Sequence, residues 1–218
     1  GRPDIQRLLC GVTASAALID HAIAWQADAI LVHHGYFWRG EDPRIIGSKR
    51  QRLAKLLQND ISLLAYHLPL DAHPEFGNNA TLGRQLGLIT EGRCGEQDLV
   101  CVGRLAEPAS AGEFLKHVES RLGRKAQLVG DPNRAITRIG WCSGGAQGYL
   151  AAAVAAGCDC YLTGEASEPS YHDAIESGVT FIAAGHHATE RYGVQALGEH
   201  LAGQFGLTVS YHELDNPF

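Results

Sequence analysis

Ile5–His34 reads IQRLLCGVTASAALIDHAIAWQADAILVHH, and Ile136–Glu165 reads ITRIGWCSGGAQGYLAAAVAAGCDCYLTGE. A displacement of 131 positions without a gap carries Ile5 onto Ile136, Arg7 onto Arg138, Ala22 onto Ala153, Asp28 onto Asp159 and Leu31 onto Leu162. Leu8 and Ile23 fall on the conservative Ile139 and Val154. Agreement of the hydrophobic pattern along the whole stretch marks a duplicated module.

Within the first copy, Arg7–Val12 is apolar and β-favouring, Thr13 stands at a helix-cap position, and Ala14–Trp25 repeats apolar residues at helical spacing. Asp28–Val32 is a second strand that runs into His33-His34. A third strand follows in each copy, at Ile61–Tyr66 and at Val179–Ala184. Between the copies, Gly92–Gly130 predicts a strand at Leu99–Leu105, a helix at Ala111–Leu122 and a strand at Ala126–Val129. The expected fold is α/β: a duplicated three-layer α/β/α module with mixed sheets and two pseudo-symmetric halves. The expected halves are residues 1–91 and 92–218, the second including the short bridging segment and a C-terminal helix that returns to a shared site.

The chain has 218 residues, 45% of them hydrophobic and 19% charged, an ordinary globular balance. Its longest apolar runs, such as Ala151–Ala156, fall far short of the roughly 20 residues of a membrane helix, and no basic start precedes an apolar run. A cytoplasmic protein without a membrane partner is expected. The formal net charge of −6 argues against a general grip on nucleic acid, and Lys49-Arg50-Gln51-Arg52 with Lys55 reads as a solvated helix face. The six cysteines lack CxxC spacing, and Cys158 and Cys160 read as buried thiols on one face of a strand. Methionine is absent, so more chain is expected before Gly1.

Two histidine doublets carry the chemistry, His33-His34 and His186-His187. Asp71 lies downstream of the first, and Glu190 follows His186 by one helical turn. Imidazoles and carboxylates gathered this way suit one or two divalent ions, and strands of an α/β sheet deliver such residues at their carboxyl ends. If a helix begins near Gly185, His186 and Glu190 share a face, and a carboxylate so placed can bridge two ions. His67, His73 and His187 suit supporting roles, orienting ligands or handling protons. The scattered His21, His117, His172, His200 and His212 read as structural or surface residues. Ser143-Gly144-Gly145 fits a tight turn better than a phosphate loop, because the spacing matches no phosphate-binding fingerprint. Glu165 falls opposite His34 in the repeat, and Ser167 with Pro169 forms a helix start.

Four strings carry a resemblance: Gly11-Val12-Thr13-Ala14-Ser15, His33-His34-Gly35-Tyr36-Phe37-Trp38, His67-Leu68-Pro69-Leu70-Asp71-Ala72-His73 and Gly185-His186-His187-Ala188-Thr189-Glu190-Arg191. They resemble the YbgI branch of the Nif-three family, whose members carry the name GTP cyclohydrolase type 2 homologue. The resemblance implies metal ligands at His33, His34, Asp71, His186 and Glu190, with Glu190 shared by two ions. It also implies a toroidal homohexamer whose sites face an internal cavity. Family chains usually have a helical segment before the first strand that this sequence does not include.

These readings lead to an expected dinuclear metal-dependent hydrolase of a small nucleotide-like or phosphorylated substrate, with His67 or His187 moving protons. Histidine with carboxylate suits zinc, manganese, iron and nickel alike. The rival reading is a metal-stabilised hexameric interaction or scaffold protein without turnover. A ring that encircles DNA is disfavoured by the acidic balance.

Overall fold

A computed structural model describes residues 1–218. The chain runs β1 (Arg7–Thr13), α1 (Ala16–Ala24), β2 (Ala29–His34), α2 (Gly47–Gln58), β3 (Ser62–Ala65), α3 (Leu68–Ala72), α4 (Asn78–Gln85), β4 (Leu88–Cys94), β5 (Val100–Leu105) and β6 (Ala109–Ser110). It continues with α5 (Ala111–Leu122), β7 (Gln127–Val129), β8 (Ala135–Ile136), β9 (Ile139–Trp141), α6 (Leu150–Ala155), β10 (Cys160–Thr163), α7 (Glu168–Ser177), β11 (Thr180–Ala183), α8 (His186–Phe205) and β12 (Thr208–Tyr211). No helix is long and apolar enough to cross a membrane.

Contacts divide the chain otherwise than the expected halves 1–91 and 92–218. One unit is Gly1–Leu70 with Val194–Asp215, and the other is Asp71–Gly193 with Asn216–Phe218. The reason lies in strand pairing. β12 at the end of the chain joins β1, whereas β4 pairs with β5. Hydrophobic periodicity reveals that a strand exists but not which sheet edge receives it.

The first unit is a four-stranded sheet in the order β12-β1-β2-β3. All its pairs are parallel. A parallel sheet is covered on both faces, which explains the nearly continuous apolar runs of β1 and β2. Leu9, Ile30 and Val32 pack with Leu18, Ile19 and Ala22 of α1 and Leu56 of α2. Leu8, Cys10, Ala29 and Leu31 face the other way, against Leu197 and Leu201 of α8. That alternation follows the two-residue period of a strand. The cap of α1 is Ser15, whose Oγ accepts from Leu18 N–H at 3.2 Å. Thr13, the expected cap, instead stays in the ladder opposite His34, where a β-branched residue is at home.

The second unit is a six-stranded mixed sheet in the order β4-β5-β9-β10-β11-β7. β9, β10 and β11 are parallel, and the antiparallel β5 and β7 flank them. Leu162 and Ile182 pack with Phe114, Val118 and Leu122 of α5 and Leu82 of α4. On the opposite face Tyr161 and Phe181 pack with Leu150 and Ala153 of α6 and Ala174 of α7. Helix α5 begins with a capping box, Ser110 with Glu113, which satisfies two otherwise unpaired N–H groups.

The repeat survives at the level of single hydrogen bonds. Asp28 accepts from the backbone N–H groups of Gln6 and Arg7, and Asp159 accepts from those of Thr137 and Arg138. The guanidinium of Arg7 donates to Trp25 O, and that of Arg138 to Ala156 O. Each pair is related by the same displacement that relates the sequences.

Candidate metal centre

In the first unit, parallel pairing of β2 with β3 brings the carboxyl ends of both strands together, with Val32 opposite Ala65. His33 and His34 end β2, and His67 follows β3. Their ring nitrogens lie within 4.8 Å of one another, a grouping that could hold a metal ion. The centroids of His33 and His34 are 4.6 Å apart, and His67 stands 4.8 Å from His33. His34 keeps its place in the ladder opposite Thr13, so the two rings meet at the end of β2 although neighbouring strand residues start out toward opposite faces.

The supports of these rings fix their chemistry. His33 is fully buried, and its Nδ1 lies 2.9 Å from Tyr66 O. A carbonyl only accepts, so Nδ1 carries the proton and the lone pair belongs to Nε2, the arrangement found behind histidine ligands. His34 Nδ1 is hydrogen-bonded to Thr13 Oγ1 at 3.0 Å. Trp38 closes on His67 edge to face at 4.7 Å.

In the second unit, α8 begins at His186, and one turn later Glu190 returns to the same face, with Oε2 3.0 Å from His186 Nε2. Glu165, beyond the end of β10, accepts on Oε1 from His186 Nδ1 at 2.6 Å. Glu190 above all, then Glu165, favours the imidazolium and outweighs burial, pushing the pKa of His186 up to about 9. Asp71 is buried, and its Oδ1 accepts from Asn78 Nδ2 at 2.8 Å and from Ser143 Oγ at 3.4 Å. The unit presents two buried carboxylates as hard donors, and His186 becomes a borderline donor once its Nε2 gives up its proton.

The loop Ser143-Gly144-Gly145 makes room for these donors. A side chain on Gly144 would place its Cβ 2.0 Å from Glu190 Oε1. Its N–H groups are committed within the protein, that of Ser143 to Asn79 Oδ1 at 2.7 Å and that of Gly144 to Thr189 Oγ1 at 2.9 Å. Two of the three N–H groups of the turn are therefore spent on packing. His73 is structural: its Nδ1 accepts from the N–H of Phe76 at 3.0 Å, and its ring stacks on Phe76. His187 is buried, and its backbone N–H donates to Phe218 O. His21 stacks on His212 at 3.6 Å, and His117 Nε2 is hydrogen-bonded to Leu86 O.

Sequence reasoning placed Glu165 only by the repeat, and it missed Thr13, Asn78, Asn79 and Ser143. These residues differ from ordinary surface polar residues only in what they touch. No local pattern announces that.

The fold and the donor sets define a duplicated α/β protein with histidine and carboxylate clusters at strand ends. The sequence profile of Duf34/NIF3 (NGG1p interacting factor 3) matches residues 1–217, and the chain belongs to that family. It is 56% identical over 220 residues to the GTP cyclohydrolase 1 type 2 homolog of Pseudomonas aeruginosa, covering 100% of this chain and 87% of that protein. A protein of the same name from Allochromatium vinosum is 56% identical over 218 residues, with 86% of its length covered. Among solved structures, the protein ybgI, described as of unknown function, superposes with a TM-score of 0.96 at 48% identity, covering 100% of this chain and 88% of that one.

Proposed function

We propose that this protein is a dinuclear metal-dependent hydrolase of a small nucleotide-like or phosphorylated substrate. His33, His34, Asp71, His186 and Glu190 hold the two ions in this reading, with Glu190 shared and with His67 or His187 handling protons. The observation that carries it is the grouping of the His33, His34 and His67 nitrogens within 4.8 Å, with His33 locked by Tyr66 O as a ligand-type tautomer. Three neutral imidazoles bring no charge to balance divalent ions. Asp71 and Glu190, buried carboxylates of the second unit, bring it.

Divalent ions in such a site supply Lewis-acid activation of water and of the bond under attack. The residues of this chain do the rest. Tyr66 O and Thr13 orient the imidazoles of His33 and His34, and Asn78 orients Asp71. His67 stands beside His33 and His34, and in this reading it would accept a proton from the attacking water. The names of the relatives make GTP the first nucleotide to test.

The deciding experiment is elemental analysis of the purified protein followed by a screen against GTP, other nucleotides, phosphoesters and cyclic amides. Turnover that requires the metal and disappears in Glu190→Gln supports the hydrolase. A metal-replete protein that turns over none of these classes refutes it.

A second reading, self-assembly stabilised by metal without turnover, is favoured by one feature. Strand β3 is a sheet edge, and Phe37, Ile45, Ile46, Leu57, Leu64 and Tyr66 of the same unit are exposed. An apolar surface of that size beside an open edge suits a second copy of the chain. A homohexamer that dissociates on chelation, with no turnover, is the result this reading requires.

A further inference from the structure

We propose that Arg124 anchors an anion subsite that holds the phosphate of the substrate, an inference that rests on the phosphorylated-substrate reading above. Arg124 follows the end of α5 and lines a cavity of about 600 Å³ in the second unit, together with Lys125, Gln127, Glu165, Gly185 and Phe218. Its Nε donates to Lys125 O at 3.2 Å, which holds the guanidinium in place. Its Nη1 is shielded from solvent and has no acceptor in the protein. No carboxylate pairs with Arg124. Lys125, its neighbour, is bonded through Nζ to Glu119.

A guanidinium N–H shielded from water without an acceptor costs free energy that a bound ligand recovers. Arginine presents a planar fork suited to two oxygens of one phosphate. A phosphate in this cavity supplies an acceptor to that fork. The nearby carboxylate does not oppose it strongly, because Glu165 is already engaged by His186 Nδ1.

The neighbour of Arg124 ties the cavity to the candidate metal centre. A Cβ on Gly185 would lie 2.1 Å from Arg124 Nη1 and 2.5 Å from its Cζ, so only glycine lets the guanidinium lie against the backbone there. The next residue is His186. Glu165 lines the same cavity and accepts from His186 Nδ1, so a phosphate on Arg124 is one residue away from a donor assigned to the ions.

The test is calorimetric titration of the metal-loaded full chain with inorganic phosphate, on wild type, Arg124→Gln, Arg124→Lys and the surface control Lys116→Gln. Arg124→Gln is expected to weaken phosphate binding at least about tenfold with metal content unchanged. Arg124→Lys, which keeps the charge but loses the fork, is expected to fall between, and Lys116→Gln to match wild type. Phosphate binding equal in Arg124→Gln and wild type, or no tighter than acetate, overturns the subsite and leaves the metal reading intact. Protein that carries no metal but still binds phosphate through Arg124 overturns the metal reading and upholds the subsite.

Discussion

Asn78 holds Asp71 from within the protein: its Nδ2 donates to Asp71 Oδ1 at 2.8 Å, while its own Oδ1 accepts from the N–H of Gly193 at 3.1 Å. A buried amide so committed fixes the orientation of the carboxylate. Partners of this kind typically govern metal affinity by about 10–100-fold. Asn78→Ala is expected to weaken metal binding by that factor in competition with a chelator of known affinity. It should also lower stability by about 1–3 kcal/mol, because the Gly193 N–H loses its acceptor. Unchanged metal affinity would remove Asn78 from the site.

Ions that bind only the folded chain stabilise it by mass action, by about 2.7 kcal/mol when free metal stands a hundredfold above its Kd. Chelation is therefore expected to lower the melting temperature of wild type and to leave a His33→Ala, Glu190→Gln double variant nearly unmoved. Scanning calorimetry with and without added zinc or manganese reads this directly. A wild-type transition indifferent to both chelator and metal would contradict the proposed ligand set.

Gly144 has φ +68°, and any Cβ there would meet Glu190 Oε1 at 2.0 Å and His186 Nε2 at 3.2 Å. Gly144→Ala should push Glu190 out of position and reduce bound metal below wild type. Gly148→Ala, whose Cβ would meet nothing within 4 Å, is the control expected to keep it. Equal metal content in the two variants would show that Glu190 is dispensable for binding.

The strands and helices that carry these residues were legible because each buries a periodic apolar face. The prediction of a helix over Ala111–Leu122 coincides with α5, and the predicted Leu99–Leu105 contains β5. Spacing of four also paired His186 with Glu190 in advance of any contact, since one helical turn fixes that relation. The unit division was not legible, because β12 pairs with β1 across almost the whole chain. The same holds for Asn78 and Ser143. Their value lies in reaching Asp71, and Ser143 does so from beyond six intervening strands and two helices in sequence. Residue type and local pattern carry no trace of such a meeting.

Asp28 is the acid-sensitive joint of the first unit. Its Oδ2 accepts from the backbone N–H groups of Gln6 and Arg7, each at 2.9 Å, and its Oδ1 from Arg2 Nη1 at 2.7 Å. The Gln6 N–H first and the Arg7 N–H next stabilise the ionised form, and with help from Arg2 they outweigh burial, so the carboxyl titrates below its ordinary value. A folded-state pKa below the unfolded one gives stability that is fully present above the unfolded pKa, about 3.9, and is lost as pH falls through the folded value. Asp28→Asn cannot accept on both atoms and is expected to cost about 1–2 kcal/mol at neutral pH. The gap between variant and wild type should narrow once the pH drops below about 4, where the carboxyl of the unfolded chain takes up its proton while the folded carboxylate stays ionised to lower pH. Urea unfolding at pH 7 and at pH 3.5 measures both. A gap that stays constant across that range would mean that Asp28 acts through its shape and not its charge.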